Sequence, residues 1–130
     1  MTKTTISHSC KAIIFACIDW RLHPKIEEHF KKKYGQFDLC ATAGAIKGFF
    51  DPMIKNYFLK QIEISRKLHY IKTVVLTIHR DCGAYGGSSS FDSLDYEMKR
   101  AKIELDKAEK IISKQFPKLK IIKQFLEIKN

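Results

Sequence analysis

The sequence predicts an α/β fold in three layers, a mostly parallel β-sheet of about four strands flanked by helices. Two observations carry this. Strand-like and helix-like segments alternate along the chain, and two of the strand segments, KAIIFAC and TVVLTIH, are continuous apolar runs of the kind expected when both faces of a parallel strand are covered. The 130 residues, 45% hydrophobic and 29% charged, suit a single domain over 1–130. No internal repeat, low-complexity tract or Pro/Gly/Ser linker divides it.

The first strand is read as Lys11–Cys17. A helix opened by Pro24 follows, with Ile26 and Phe30 four apart on one face and Gly35 as its stop. A weaker strand is expected over Phe37–Thr42. The second helix runs from Pro52 to about Leu68, because Ile54, Phe58 and Ile62 recur every four residues among Lys and Glu. Thr73–His79 is a β-branched strand, and a Gly/Ser-rich loop carries the chain from Asp81 to Ser90. The third helix is capped by Asp92 and places Leu94, Met98, Ala101, Leu105, Ala108 and Ile112 on one stripe. After Pro117, Leu119–Leu126 reads as a last strand at or near a sheet edge.

With 24 basic and 14 acidic side chains the net charge is +10, which raises the question of nucleic acid. The lysines are dispersed through Lys25–Lys33, Lys55–Lys72 and Lys99–Lys123 between Glu and Asp, as on a solvated helix face, so a nucleic-acid binder ranks last. The apolar run from Ala12 to Ile18 is too short for a membrane span, and Asp19 and Arg21 arrive before any small-residue cleavage site of a leader. Cys10, Cys17, Cys40 and Cys82 are scattered, which favours thiols or a metal site in a reducing compartment, the cytoplasm, over a disulfide framework.

Chemistry is expected outside the carboxyl ends of the strands. Cys17, Asp19 and Arg21 leave the first strand there, and His79 and Cys82 leave the third. Cys, His and Cys form a borderline-soft donor set suited to zinc, with two thiolates balancing the divalent charge and a fourth position open, the mark of a catalytic site. Asp19 could fill or guard that position, and Arg21 could hold the Asp19 carboxylate by a charge-assisted contact. Taken singly, a cysteine ending an apolar strand is a small buried hydrophobe and a lone histidine a satisfied polar residue. Their conjunction at two strand ends, beside an Asp and an Arg that folding does not require, favours the metal. Cys10 and Cys40 lack such company and are read as non-ligands. Tyr85, Phe49 and Phe50 could line a pocket, with aromatic packing the default.

Other motifs fail. His79-Arg80-Asp81 lacks the Asn that a kinase catalytic loop carries five residues on, where Gly86 stands. A cysteine-phosphatase loop from Cys82 would end in Arg where Ser88 stands, and the glycines match neither a dinucleotide nor a Walker fingerprint. A Cys17/His79 nucleophile pair would leave Cys82 and Arg21 without roles.

Cys17-Ile18-Asp19-Trp20-Arg21 and His79-Arg80-Asp81-Cys82-Gly83 resemble the β-class carbonic anhydrase signature, Cys-x-Asp-x-Arg followed by His-x-x-Cys-Gly. The resemblance covers roughly Lys11 to Ser90 and implies a parallel-sheet α/β unit that forms a homodimer or dimer of dimers, its pocket partly built by the partner subunit. It implies that Cys17, His79 and Cys82 bind zinc and that carbon dioxide is reversibly hydrated to bicarbonate and a proton, with zinc-bound hydroxide as nucleophile. Asp19 would orient the bound water while Arg21 holds Asp19, and release of Asp19 would close the site as a fourth ligand. With two thiolates the bound water is expected to have a pKa above the value of about 7 of a three-histidine site.

The chain departs from the family pattern in reading Ala41-Thr42-Ala43-Gly44 where Arg-Asn often precedes Ala-Gly, and His8 where many members have Gln. Ten residues precede the first strand, so a long N-terminal arm wrapping the partner is not expected. Two alternatives share the ligand set: a zinc-binding module without turnover, and a hydrolase of carbonyl sulfide or carbon disulfide.

Overall fold

The structure, a computed structural model, describes residues 5–128. Four strands, β1 (Ala12–Ala16), β2 (Phe37–Ala41), β3 (Thr73–His79) and β4 (Lys120–Leu126), form one parallel sheet in the order β2-β1-β3-β4. In register, Ile13 of β1 stands opposite Asp38 of β2 on one side and Val74 of β3 on the other. The chain leaves β1 toward β2 and then returns to β3 on the opposite flank, so the crossovers diverge between β1 and β3. Such a divergence is where a parallel sheet places its ligands, outside the carboxyl ends of the strands.

Every residue of β1 is buried, and its alternation divides the core into two layers. Ile13 and Phe15 pack with Val74, Leu76 and Ile78 against α3 (Pro52–His69), α4 (Leu94–Gln115) and a 3-10 turn over Ala45–Phe50. Phe15, Phe49 and Phe58 form a triangle with ring centroids 5.0–5.2 Å apart. Burying each ring contributes about 1.5–3 kcal/mol. Phe49 is therefore a core residue, 1% exposed, whereas Phe50 remains 37% exposed. Ala12, Ile14 and Ala16 face the other layer with Leu22, Ile26 and Phe30.

That second layer is a run of helical turns over 20–34: a 3-10 turn at Trp20–Leu22, α1 (His23–Lys25), a π turn at Ile26–Phe30 and α2 (Lys31–Tyr34). It opens before Pro24 because Asp19 caps it, its Oδ1 accepting the Arg21 backbone N–H at 2.9 Å. Ile26 and Phe30 both point inward, as their spacing predicts. Asp51 caps α3 by accepting from the Met53 N–H, with Pro52 in the first turn, where its missing donor is no loss.

Two expectations for the third predicted helix, now α4, need correction. Its cap is Ser93, whose Oγ accepts the Tyr96 N–H, and not Asp92. Leu94 and Met98 are exposed while Glu97 is buried. The first turns of α4 pass beyond the sheet and face the backbone of the loop after β3, which calls for an acceptor rather than an apolar side chain. Ala101, Leu105, Ala108 and Ile112 lie over the sheet and are buried as predicted. β4 pairs with β3 from Thr73↔Lys120 to His79↔Leu126 and forms one edge, as expected. β2 forms the other edge and is only partly buried, which explains its weak apolar signal. Among the described residues, no helix is long and apolar enough to cross a membrane.

Candidate metal centre

β1 and β3 are neighbours, so the residues that leave their ends converge. One potential ligand atom each from Cys17, His79 and Cys82 lies within 4.8 Å of the others, and all three residues are buried. His79 ends β3 with its Nδ1 2.7 Å from the carbonyl oxygen of Arg80. A carbonyl only accepts, so Nδ1 carries the proton and the neutral ring turns the Nε2 lone pair toward the cluster. Nε2 is buried and has no hydrogen-bond partner among the described residues. An orphaned imidazole nitrogen beside two buried thiols fits zinc, and the three residues could hold such an ion with a fourth position left over.

The electrostatics already favour an anionic site. The Cys17 thiol is held well below its ordinary range chiefly by the neighbouring Cys82 thiol, with His79 and the Gly44 N–H adding to this against the effect of burial. The Cys82 thiol is pushed up by the neighbouring Cys17 and by burial. Burial opposes charge on His79, but the Cys17 thiolate, the Arg80 carbonyl and Asp19 outweigh it and raise the imidazole. A bound cation would compete with these protons.

Gly44 donates its N–H to Cys17 Sγ at 3.4 Å. Its φ of 81° and its crowding, with a Cβ placed there only 3.0 Å from those of Ala84 and Lys47, leave room for glycine alone.

Asp19 and Arg21 adjoin the cluster. Asp19 Oδ2 lies 3.7 Å from His79 Nε2. Arg21 clasps this carboxylate through Nη2 to Oδ2 at 2.6 Å and Nε to Oδ1 at 3.0 Å, which helps to hold the Asp19 carboxyl down at about 2. The same guanidinium donates through Nη1 to Asp81 Oδ2 at 3.0 Å and through Nη2 to the Asp81 carbonyl at 3.1 Å. One arginine thus ties the loop after β1 to the loop after β3.

Asp81 is one residue that sequence reasoning missed as a partner. It adopts φ 61°, a conformation that Asp tolerates better than most residues, and its Oδ1 accepts the Ser88 N–H at 2.8 Å. Glu97 is the second. From α4 its Oε2 accepts the Asp81 N–H at 2.8 Å and its Oε1 the Ser88 hydroxyl at 2.9 Å, bracing the turn that carries His79 and Cys82. Its position within a nominally apolar stripe was the one available signal.

The side chains of Asp19 and Arg21, 14% and 28% exposed, are where the cluster meets solvent. Behind His79 and Cys82 a crevice of about 10 Å³, lined also by Tyr85 and Glu97, is no larger than a water. A wide open cleft of about 1060 Å³, lined by Phe50, Tyr85 and Lys47 among others, does not include Cys17, His79 or Cys82. Tyr85 belongs to both spaces, and burial pushes its hydroxyl up. Trp20 is 77% exposed and contributes nothing to the cluster.

A family model described as "Putative carbonic anhydrase" matches residues 7–130. Two curated relatives, each called only an uncharacterized protein, come from Rickettsia bellii and Rickettsia conorii. The first is 28% identical over 88% of this chain and 74% of its own length. The second is 29% identical over 88% of this chain and 66% of its own length, so the chain spans about two thirds to three quarters of these relatives. Among solved structures, the β-carbonic anhydrase of the fungal pathogen Aspergillus fumigatus matches with a TM-score of 0.64 at 13% identity, covering 93% of this chain and 72% of that one. This likeness is one of fold. The β-carbonic anhydrase isoform I of the protozoan Trichomonas vaginalis matches at 21% identity over 92% of this chain and 63% of that one, with a TM-score of 0.47.

Proposed function

The chain belongs to the family described as "Putative carbonic anhydrase", and on that premise we propose that it reversibly hydrates carbon dioxide to bicarbonate and a proton, with zinc held by Cys17, His79 and Cys82. The observation that carries this reading is the buried Cys17/His79/Cys82 cluster with its orphaned His79 Nε2, flanked by a carboxylate that Arg21 keeps ionised. Bound zinc supplies a Lewis acid that makes hydroxide available near neutral pH.

The chain's own residues do the rest. Cys17 and Cys82 bring two negative charges to the centre, and the Arg80 carbonyl keeps the Nδ1 proton of His79 so that Nε2 is free to ligate. Asp19 Oδ2, next to His79 Nε2, accepts the hydrogen bond of the attacking water and sets its orientation, while Arg21 holds Asp19 in that direction. Because Arg21 is itself fixed on Asp81, this dyad does not depend on two side chains alone. The clasp favours an open site, since Asp19 would have to leave Arg21 to become a fourth ligand.

Pairing of two copies would cover exposed apolar side chains such as Ile18 and Trp20 beside the site. The free thiols of Cys10, Cys17, Cys40 and Cys82 favour the reducing cytoplasm.

The test is metal content together with stopped-flow hydration of carbon dioxide, from neutral to alkaline pH, on reduced protein and on Cys82→Ala. The expected result is zinc and hydration in the first and loss of hydration in the second. Zinc without hydration at any pH would overturn the substrate and turn attention to carbonyl sulfide. Absence of zinc from this centre would overturn the reading altogether.

A further inference from the structure

Cys10 stands without neighbours in the sequence, but the fold gives it company. It precedes β1, and its backbone N–H donates to the carbonyl of His69, the last residue of α3, at 3.0 Å. Asp38, the second residue of β2, enters the same corner, and its pairing with Ile13 fixes its position along the sheet edge. One potential ligand atom each from Cys10, Asp38 and His69 lies within 4.8 Å of the others.

These donors are held in place. The Ser65 hydroxyl donates to Asp38 Oδ2 at 2.6 Å, and His69 Nδ1 lies 2.7 Å from the same oxygen and 2.9 Å from Oδ1. Three separate segments thus contribute one donor each, positioned by backbone pairing or by a hydrogen bond to a fourth side chain. His8 lies beside them, its ring centroid 6.2 Å from that of His69. The corner is reachable, since His8, Cys10, Asp38 and His69 line a surface cavity of about 550 Å³.

We propose that Cys10, Asp38 and His69 form a second metal site, for zinc, with His8 as a fourth donor, at the amino end of the sheet. It is separate from Cys17, His79 and Cys82, because Cys10 and Cys17 lie at opposite ends of β1, about 20 Å apart along an extended chain. The donor chemistry selects the ion. A thiolate and a carboxylate neutralise a divalent charge, the imidazoles suit a borderline-soft metal, and the thiolate disfavours calcium or magnesium. Loading would put the cation in place of the proton that His69 Nδ1 donates to Asp38. Without metal, the same contact is an ordinary His–Asp pair at a helix C-terminus.

The experiment counts zinc per chain after metal-free, reduced protein is reloaded with zinc and dialysed exhaustively, comparing wild type with Cys10→Ser, His69→Ala and Cys82→Ala, each checked for folding by circular dichroism. The site predicts that Cys10→Ser and His69→Ala each hold one zinc fewer than wild type, and that Cys82→Ala with His69→Ala added loses the zinc that Cys82→Ala alone retains. If the centre at Cys17 takes no metal, wild type holds one zinc that Cys10→Ser removes and Cys82→Ala does not, so the two readings fail separately. Cobalt loading gives an independent readout: the thiolate charge-transfer band of Cys82→Ala should weaken when Cys10→Ser is added. Zinc content unchanged by both Cys10→Ser and His69→Ala would overturn the site.

Discussion

Glu97 is the residue whose replacement tests the architecture of the centre most directly. It is buried, and its two oxygens serve two donors, the Asp81 N–H at 2.8 Å and the Ser88 hydroxyl at 2.9 Å. In Glu97→Ala the Asp81 N–H loses its acceptor in a turn that cannot relax freely, because Asp81 sits at φ 61° with Arg21 fixed on its side chain and carbonyl. An unmet buried donor costs about 1–3 kcal/mol and the lost hydroxyl bond about 1 kcal/mol, while alanine recovers a few tenths of a kcal/mol in helix propensity. The net expectation is a loss of about 2–3 kcal/mol. In Glu97→Gln the amide oxygen can serve Asp81 and the amide nitrogen can donate to Ser88 Oγ, which turns to accept. Both bonds survive, and the cost is about 1 kcal/mol or less, the difference between a charged and a neutral acceptor. Urea unfolding of metal-free protein, followed by circular dichroism at neutral pH, measures both variants. The reasoning is refuted if Ala costs under about 0.5 kcal/mol or if Gln costs as much as Ala, since either result would mean that Glu97 does not brace the turn through these bonds.

Other expectations rest on the same geometry. Asp19→Asn should keep the metal, whose three candidate ligands it leaves intact, but lose most hydration; unchanged stopped-flow rates would remove Asp19 from its proposed role. Asp19 titrates at about 2 in the folded chain against an ordinary 3.8, chiefly because Arg21 bonds it. A depressed carboxylate stabilises the fold above its ordinary value and loses that contribution as pH falls toward 2. The stability gap between wild type and Arg21→Gln should therefore be full above about pH 4 and shrink toward pH 2; a gap independent of pH in urea titrations would contradict this. Gly44→Ala should cost at least about 1–2 kcal/mol from its left-handed backbone alone, with a further penalty from its 3.0 Å contacts. A Cβ on Gly83, by contrast, meets nothing within 4 Å, so Gly83→Ala should stay within about 0.5 kcal/mol in thermal unfolding.

Much of the fold was legible because its signals are local. The apolar runs at KAIIFAC and TVVLTIH mark strands covered on both faces, and a parallel sheet then follows from the alternation with helices. Boundaries moved by a residue or two wherever a cap decided them, as at Ser93 and at Asp19. Leu94 and Met98 were misplaced because periodicity identifies a helix face without saying where the sheet beneath it ends.

The sequence by itself determined the element order and the two motifs, because each motif is contiguous and sits at the end of a strand, while the pairing of β1 with β3 brought Cys17, His79 and Cys82 together. Only the tertiary structure decided what surrounds them. It joined Arg21 to Asp81 across 60 positions, aimed Glu97 at a backbone donor, set Gly44 against Cys17, and assembled Cys10, Asp38 and His69 from a loop, a strand and a helix end. Such contacts depend on strand order and register, which bring distant residues within hydrogen-bond reach and leave no periodic trace in the chain.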